Sequence, residues 1–119
     1  MRFVVPGEPV PKARPRLGRG GRWYTPSRTR DYEQRVGWEA RIAGARPVEG
    51  DVAVRIVVRG PRRFDLDNVA KTILDGLRGV AFADDRQVVH LDVRWEPGEP
   101  SAEILIEQAE IRGKGEVKS

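Results

Sequence analysis

The stretch Val52-Ala53-Val54-Arg55-Ile56-Val57-Val58-Arg59, stopped by Gly60-Pro61, decides the fold together with the two regular runs C-terminal to it. Val52, Val54, Ile56 and Val58 fall on one side, and Ala53, Arg55, Val57 and Arg59 on the other. Alternation at a period of two is the signature of a half-buried strand. The next regular run changes period. From about Asp67 to Arg78, the apolar residues Val69, Ala70, Ile73, Leu74 and Leu77 recur at helical spacing, and Gly79 supplies a stop. Val88–Trp95 returns to a strand pattern, with Val89, Leu91, Val93 and Trp95 on one side. A turn at Pro97–Pro100 leads to a last strand over Ala102–Glu107.

Toward the N-terminus, Arg2–Pro6 reads as a short strand with Phe3 and Val5 on one face. Gly7–Ser27 is rich in Gly, Pro and Arg and has no apolar period. It is expected to be a long loop, with room for a short hairpin around Gly20-Gly21 that brings in Trp23 and Tyr24. A loop this long in a small domain is usually functional or disordered. Thr29 to Ala43 reads as a helix, with Tyr32, Val36, Ala40 and Ala43 at helical spacing, Asp31 and Glu33 in its first turn and Gly44 at its end. Gly37 counts against it. The expected fold class is α/β (α+β): a single small domain over residues 1–112, a mixed β-sheet with two main helices packed on it, and a polar tail over 113–119.

At 119 residues, with 39% hydrophobic and 34% charged residues, the chain has globular composition and a small core, which a homodimer would extend. The absence of cysteine excludes disulfides and thiolate metal sites. No apolar stretch reaches membrane-spanning length and no signal-peptide pattern opens the chain, so no membrane partner is expected and the expected location is cytoplasmic. The charge is uneven. Residues 1–46 hold 11 Lys+Arg against 4 Asp+Glu, while residues 47–119 hold 11 against 14. Pro11–Arg30 contains seven basic residues and no acidic one. Such asymmetry suits one region gripping a polyanion and another holding a cation.

The acidic residues have their own pattern: Arg62-Arg63-Phe64-Asp65-Leu66-Asp67-Asn68-Val69-Ala70-Lys71, then Asp75, then Asp84-Asp85-Arg86-Gln87. In extended chain, a spacing of two points the Asp65 and Asp67 carboxylates to one side. Asp67 or Asn68 can cap the helix. Lys71 follows Asp67 by one turn, and Asp75 continues that row away from the buried stripe. If Asp85 meets Asp65 and Asp67, three like charges converge, and they need a cation among them. Carboxylates and water are the ligands that Mg²⁺ and Mn²⁺ prefer, and such a site can hydrolyse a phosphodiester. Each feature also has an ordinary explanation: an N-cap, a solvated Asp-Asp turn, a surface ion pair. Spacing alone leaves these alternatives open.

The combined pattern Arg-Arg-Phe-Asp-Leu-Asp-Asn-x-x-Lys-x-x-x-Asp-x-Leu, then Asp-Asp-x-Gln-Val-Val, over Arg62 to Val89, closely resembles the RusA family of Holliday-junction resolvases. Pro9-x-Pro11-Lys12-x-Arg14-Pro15-Arg16, Tyr24-Thr25 and Tyr32-Glu33 are similar to the N-terminal half of many members. The resemblance implies catalytic roles for Asp65, Asp67, Asp85 and Lys71, with the three aspartates as ligands of Mg²⁺ or Mn²⁺. It also implies a homodimer that nicks two opposed strands of a four-way DNA junction. A two-fold dimer would offer two equivalent sites to a junction of approximate two-fold symmetry. Asp75 and Asp84 occupy recurrent acidic positions, and Gln87 is a candidate supporting group. The Arg-rich loop is not a uniform feature of the family, so junction specificity is less firmly implied than nuclease chemistry. The alternatives are a non-catalytic DNA-binding relative, and a nuclease for other branched DNA such as flaps.

Lys12, Arg14, Arg16, Arg19, Arg22, Arg28 and Arg30 form the candidate phosphate-binding surface, to which Arg62 and Arg63 add a grip near the acids. Trp23 and Tyr24 are expected to pack on the sheet, with stacking on an unpaired base as the alternative. His90 is expected on the exposed side of its strand, and Trp38 and Trp95 in the core or a dimer interface. No Gly-rich phosphate loop and no Ser/His/Asp arrangement is present, and no nucleotide cofactor is expected.

Overall fold

The computed structural model describes residues 1–61 and 64–109. Arg62, Arg63 and the proposed tail from Gly113 lie outside the described residues. Strand β4 (Val52–Arg59) occupies the middle of a four-stranded sheet ordered β1 (Arg2–Pro6), β6 (Ser101–Gln108), β4, β5 (Val88–Glu96). β6 runs antiparallel to both β1 and β4, whereas β4 and β5 run parallel from Val52↔Val88 to Arg59↔Glu96. Parallel neighbours need a crossover. Helix α2 (Leu66–Leu77) provides it and runs back against the direction of both strands. The mixed sheet with two main helices is therefore as expected.

The helices cover one face of the sheet. Phe3 and Val5 of β1, Val52, Val54, Ile56 and Val58 of β4, and Ala102, Ile104 and Ile106 of β6 are buried there. Tyr32, Val36 and Ala40 of helix α1 (Ser27–Ile42) meet them, with Val69, Ile73 and Leu77 of α2. Phe82, fully buried in the connection after α2, fills the end of this layer. The opposite face carries ion pairs: Arg59 with Glu96 and Glu103, Arg2 with Glu103, and Arg94 with Asp92. Ala43 follows the end of α1 and is exposed. Trp38 is exposed, which leaves a dimer interface as its expected place, and Trp95 packs partly against the core. Among the described residues, no helix is long and apolar enough to cross a membrane.

Gly37 does not weaken α1; it makes room for α2. A Cβ added to Gly37 would stand 3.0 Å from the Gly76 carbonyl oxygen, and one added to Gly76 would stand 2.6 Å from the Glu33 carbonyl oxygen. Two backbones therefore touch where side chains would keep helices apart. Alanine normally favours a helix interior by about 1 kcal/mol over glycine. Here overpacking opposes that gain. We expect Gly76→Ala to lower stability by about 1–3 kcal/mol in denaturant unfolding, and Gly37→Ala to cost less. A Gly76→Ala chain as stable as the wild type would show that the helices do not approach this closely.

Candidate active site and nucleic-acid interface

At the start of α2 the chain leaves extended geometry at Asp65, which is the N-cap. Its Oδ1 accepts from the Asn68 backbone N–H at 3.4 Å, and its Oδ2 accepts from the Asn68 side-chain Nδ2 at 2.9 Å. Asp65 is the cap, then, not Asp67 or Asn68, and Asn68 braces it. The free N–H groups of a first helical turn favour negative charge, which suits the exposed Asp67 beside it. Asp67, Asn68 and Lys71 line a groove of about 350 Å³ whose floor and far wall are Ala70, Leu74, Leu91 and Val93. Lys71 is exposed and, among the described residues, makes no ion pair.

Asp75 departs from that row. Eight residues further along a helix of 3.6 residues per turn, it is rotated by about 80° from Asp67. That turns it toward α1. Its Oδ2 lies 2.9 Å from Lys12 Nζ, and its Oδ1 lies 3.7 Å from Arg78 Nη2.

The second acidic pair sits on a short 3-10 turn, Asp85–Gln87. Asp84 caps it, accepting from the Arg86 N–H at 2.8 Å. Hydrogen bonds from the Arg86 side chain and backbone hold the Asp84 carboxyl below its ordinary pKa. Gln87 is the clamp. Its Oε1 accepts from the N–H groups of Ala83 and Asp84, and its Nε2 donates to the carbonyls of Val48 and Gly50. The supporting role expected of Gln87 thus has a concrete form: it latches the turn to the segment that enters β4. The Asp85 carboxyl is only partly exposed. Arg78 Nη1 donates to its Oδ2 at 3.3 Å, while its Oδ1 is buried with no hydrogen-bond partner. Arg78 was not singled out from the sequence. Its i,i+3 spacing from Asp75 was the available signal.

Within one chain these acids do not gather. Among the described residues, no group of three His, Cys, Asp or Glu side chains is placed to hold a metal ion. Topology is the reason. Asp65 follows the C-terminal end of β4, Asp85 precedes the N-terminal end of β5, and the two strands are parallel. The whole of α2 separates them, roughly 18 Å for a helix of its length. The expectation that Asp65, Asp67 and Asp85 meet is therefore corrected for a single chain. Asp67 and Lys71 line one groove with Asn68, the residue that holds Asp65, while Asp85 pairs with Arg78 beyond the far end of α2.

The basic segment also divides. Lys12 Nζ is held between Glu33 Oε2 at 2.7 Å and Asp75 Oδ2 at 2.9 Å, and its N–H donates to the Asn68 carbonyl at 2.8 Å. Burial acts to lower its pKa, but the hydrogen bonds and charges of Glu33 and Asp75 outweigh it and leave the ammonium raised. Lys12 is thus a tie across both helices rather than a phosphate contact. Beyond it, β2 (Arg16–Leu17) and β3 (Trp23–Tyr24) pair as the expected hairpin, with Arg19–Gly21 at the tip. Gly20 and Gly21 have φ of 79° and 77°, a region that favours glycine. Arg14, Arg16, Arg19 and Arg22 are exposed and make no ion pair among the described residues, while Arg28 lies 3.6 Å from Glu8. Trp23 and Tyr24 do not pack on the sheet. They are 69% and 50% exposed.

Residues 6–107 match the family model described as endodeoxyribonuclease RusA. The chain belongs to this family. The RusA-family match runs from the last residue of β1 nearly to the end of β6 and makes cleavage within DNA strands the relevant class of chemistry. The chain is also similar to the uncharacterized protein YqaN of Bacillus subtilis (strain 168), at 29% identity, covering 91% of this chain and 96% of that protein.

The division of the basic residues is testable in this RusA-family chain. Arg16→Ala should reduce the log–log salt slope of duplex DNA binding by up to about 0.9 and leave stability unchanged. Lys12→Ala should leave the slope alone and cost about 1 kcal/mol of stability, because two half-buried carboxylates lose their shared donor while solvent screens part of the effect. Because the Lys12 pKa is raised on folding, its contribution is fully present below the ordinary lysine value and is lost as pH climbs through the raised one. The Lys12→Ala and wild-type unfolding curves should therefore differ equally across neutral pH and converge only in strong alkali.

Proposed function

We propose that the chain is a structure-specific endodeoxyribonuclease that resolves four-way DNA junctions as a homodimer, using Mg²⁺ or Mn²⁺. The observation that carries this reading is the placement of Asp65 and Asp67 at the opening of α2, with Asp67 in an open groove beside Lys71, which makes no ion pair among the described residues, within a RusA-family fold. The donor set is oxygen only, as a hard divalent cation requires. The partnerless buried Oδ1 of Asp85 is a further oxygen suited to such an ion. The ion would supply an activated water and stabilise the leaving oxygen of the phosphodiester. Asp65 and Asp67 would hold it, Asn68 would fix the Asp65 carboxylate, and the Lys71 ammonium would offset charge on the scissile phosphate. Arg14, Arg16, Arg19, Arg22, Arg28, Arg62 and Arg63 would hold the flanking backbone.

The separation of Asp85 from Asp65 and Asp67 gives the homodimer a chemical purpose. β5 is an edge strand, with Val89 and Leu91 40% and 44% exposed next to α2. A two-fold axis that sets the α2–β5 faces of two copies antiparallel brings the Asp85 end of one to the Asp65–Asp67 end of the other. Each site then draws its third carboxylate from a second copy. The same separation also favours a second reading, a branched-DNA binder that does not cut.

Nicking of a synthetic four-way junction separates the readings. Wild-type chain should cut with Mg²⁺ and not with a chelator. Asp65→Asn and Asp85→Asn should each lower cutting by at least about a hundredfold while binding persists. Asparagine caps helices as well as aspartate does, so Asp65→Asn keeps α2 intact. Co-folded Asp67→Asn and Asp85→Asn chains should recover about a quarter of wild-type nicks, because half the dimers then hold one complete site. Recovery at the background of either variant alone would place all three acids in one chain. Binding without cutting by the wild type would support the non-catalytic reading.

A further inference from the structure

The hairpin β2–β3 projects from the domain with nothing in the described chain covering its apolar side. Leu17 and Trp23 are directly paired in the ladder, so they share one face, and they are 59% and 69% exposed. Arg16 and Tyr24 are the other pair and share the opposite face. The Tyr24 ring lies against Gly18, where an added Cβ would meet it at 3.2 Å. Trp23 has no such seat. The segment Ala13–Tyr24 contains four arginines and no acidic residue, and none of those arginines is engaged in an ion pair among the described residues. An exposed indole set among free guanidiniums suits a ligand that offers both a flat apolar face and closely spaced negative charge. Exposed nucleobases on a phosphate backbone have that chemistry.

The root of the hairpin fixes where such a ligand would lie. Lys12 donates its backbone N–H to Asn68, the residue that braces Asp65 and lines the groove with Asp67 and Lys71. From Lys12 to Leu17 the chain can extend by about 17 Å. The arm is thus tethered within about 17 Å of that groove. Its attachment at Lys12 is rigid, tied by ion pairs to α1 and α2.

We propose that β2–β3 is a branch-reading arm in which Trp23 stacks on a base left unpaired or unstacked at a DNA branch point, while Arg14, Arg16, Arg19 and Arg22 hold the adjoining phosphates. This deepens the nuclease reading above and rests on it for the identity of the ligand. The arm makes a continuous duplex a poorer ligand than a branched one, because only the branch offers a base face outside the helical stack. Trp23 is therefore a residue of specificity, and the arginines contribute to any DNA.

Two measurements test this with full-length chain. The first is binding of a four-way junction and of a linear duplex of equal length, with 2-aminopurine at the branch point of the junction. Wild-type chain should quench or shift the 2-aminopurine signal and prefer the junction. Trp23→Ala should abolish the signal change and weaken junction binding by about tenfold, with duplex binding altered less than twofold. Trp23→Phe should restore most of both. The second is the rate of Mg²⁺-dependent nicking by Trp23→Ala at saturating enzyme, which should fall less than the affinity does. If the wild type binds and cuts junctions and Trp23→Ala matches it in signal, affinity and preference, the arm proposal is overturned while the nuclease reading stands. If the wild type binds no DNA, the nuclease reading itself fails and the arm proposal fails with it.

Discussion

The parallel pairing of β4 with β5 is the constraint on which the rest of the structure depends. Their ladder, from Val52↔Val88 to Arg59↔Glu96, can form only if the chain returns the full length of the strand before pairing again. α2 is that return. It must bury Val69, Ile73 and Leu77 against the same sheet face that β4 fills with Val52, Val54, Ile56 and Val58. The acids at its two approaches are thereby sent to opposite ends of the sheet. β5 is also left at the edge of the sheet, so the position of the acids and that edge have one topological cause.

A second level of organisation is the contact between the helices. Gly37 and Gly76 allow α1 and α2 to meet at backbone distance. That closeness puts Glu33 and Asp75 near enough to share one ammonium, Lys12, between them. Two carboxylates facing each other across a helix pair repel, and a cation placed between them turns repulsion into a tie. The tie anchors the N-terminal segment beside Asn68, and from that anchor the basic hairpin extends. A packing feature with no chemistry of its own thus determines where the most positive part of the chain stands relative to Asp65, Asp67 and Lys71. Arg78 plays a comparable role at the other end of α2, neutralising Asp75 and Asp85 together.

The strands and helices are legible in the sequence because they depend on local periodicity. Alternation in Val52–Arg59 and the helical spacing of Val69, Ala70, Ile73 and Leu77 are properties of the chain over a few residues, and the described elements agree with them within a residue or two. Asp65 and Asp67 at a helix opening, Lys71 one turn on, and the short hairpin at Gly20-Gly21 are legible for the same reason. The purpose of Gly37 is not, because it lies in another helix, at Gly76. Trp23 and Tyr24 are expected on the sheet because large aromatics usually find a core, yet the two-residue strand that carries them has no layer beneath.

By itself the sequence determined the order of the main strands and helices, which face of the central strand turns inward, and which acidic, basic and aromatic residues are candidates for the site. Only the tertiary structure decided that β5 lies parallel to β4, that Asp85 stands a helix length from Asp65 and Asp67, and that Lys12 is spent on Glu33 and Asp75. The physical reason is range. Backbone geometry and side-chain period act between neighbours in sequence. Strand partners and ion-pair partners are chosen by burial and charge among residues that only folding brings together.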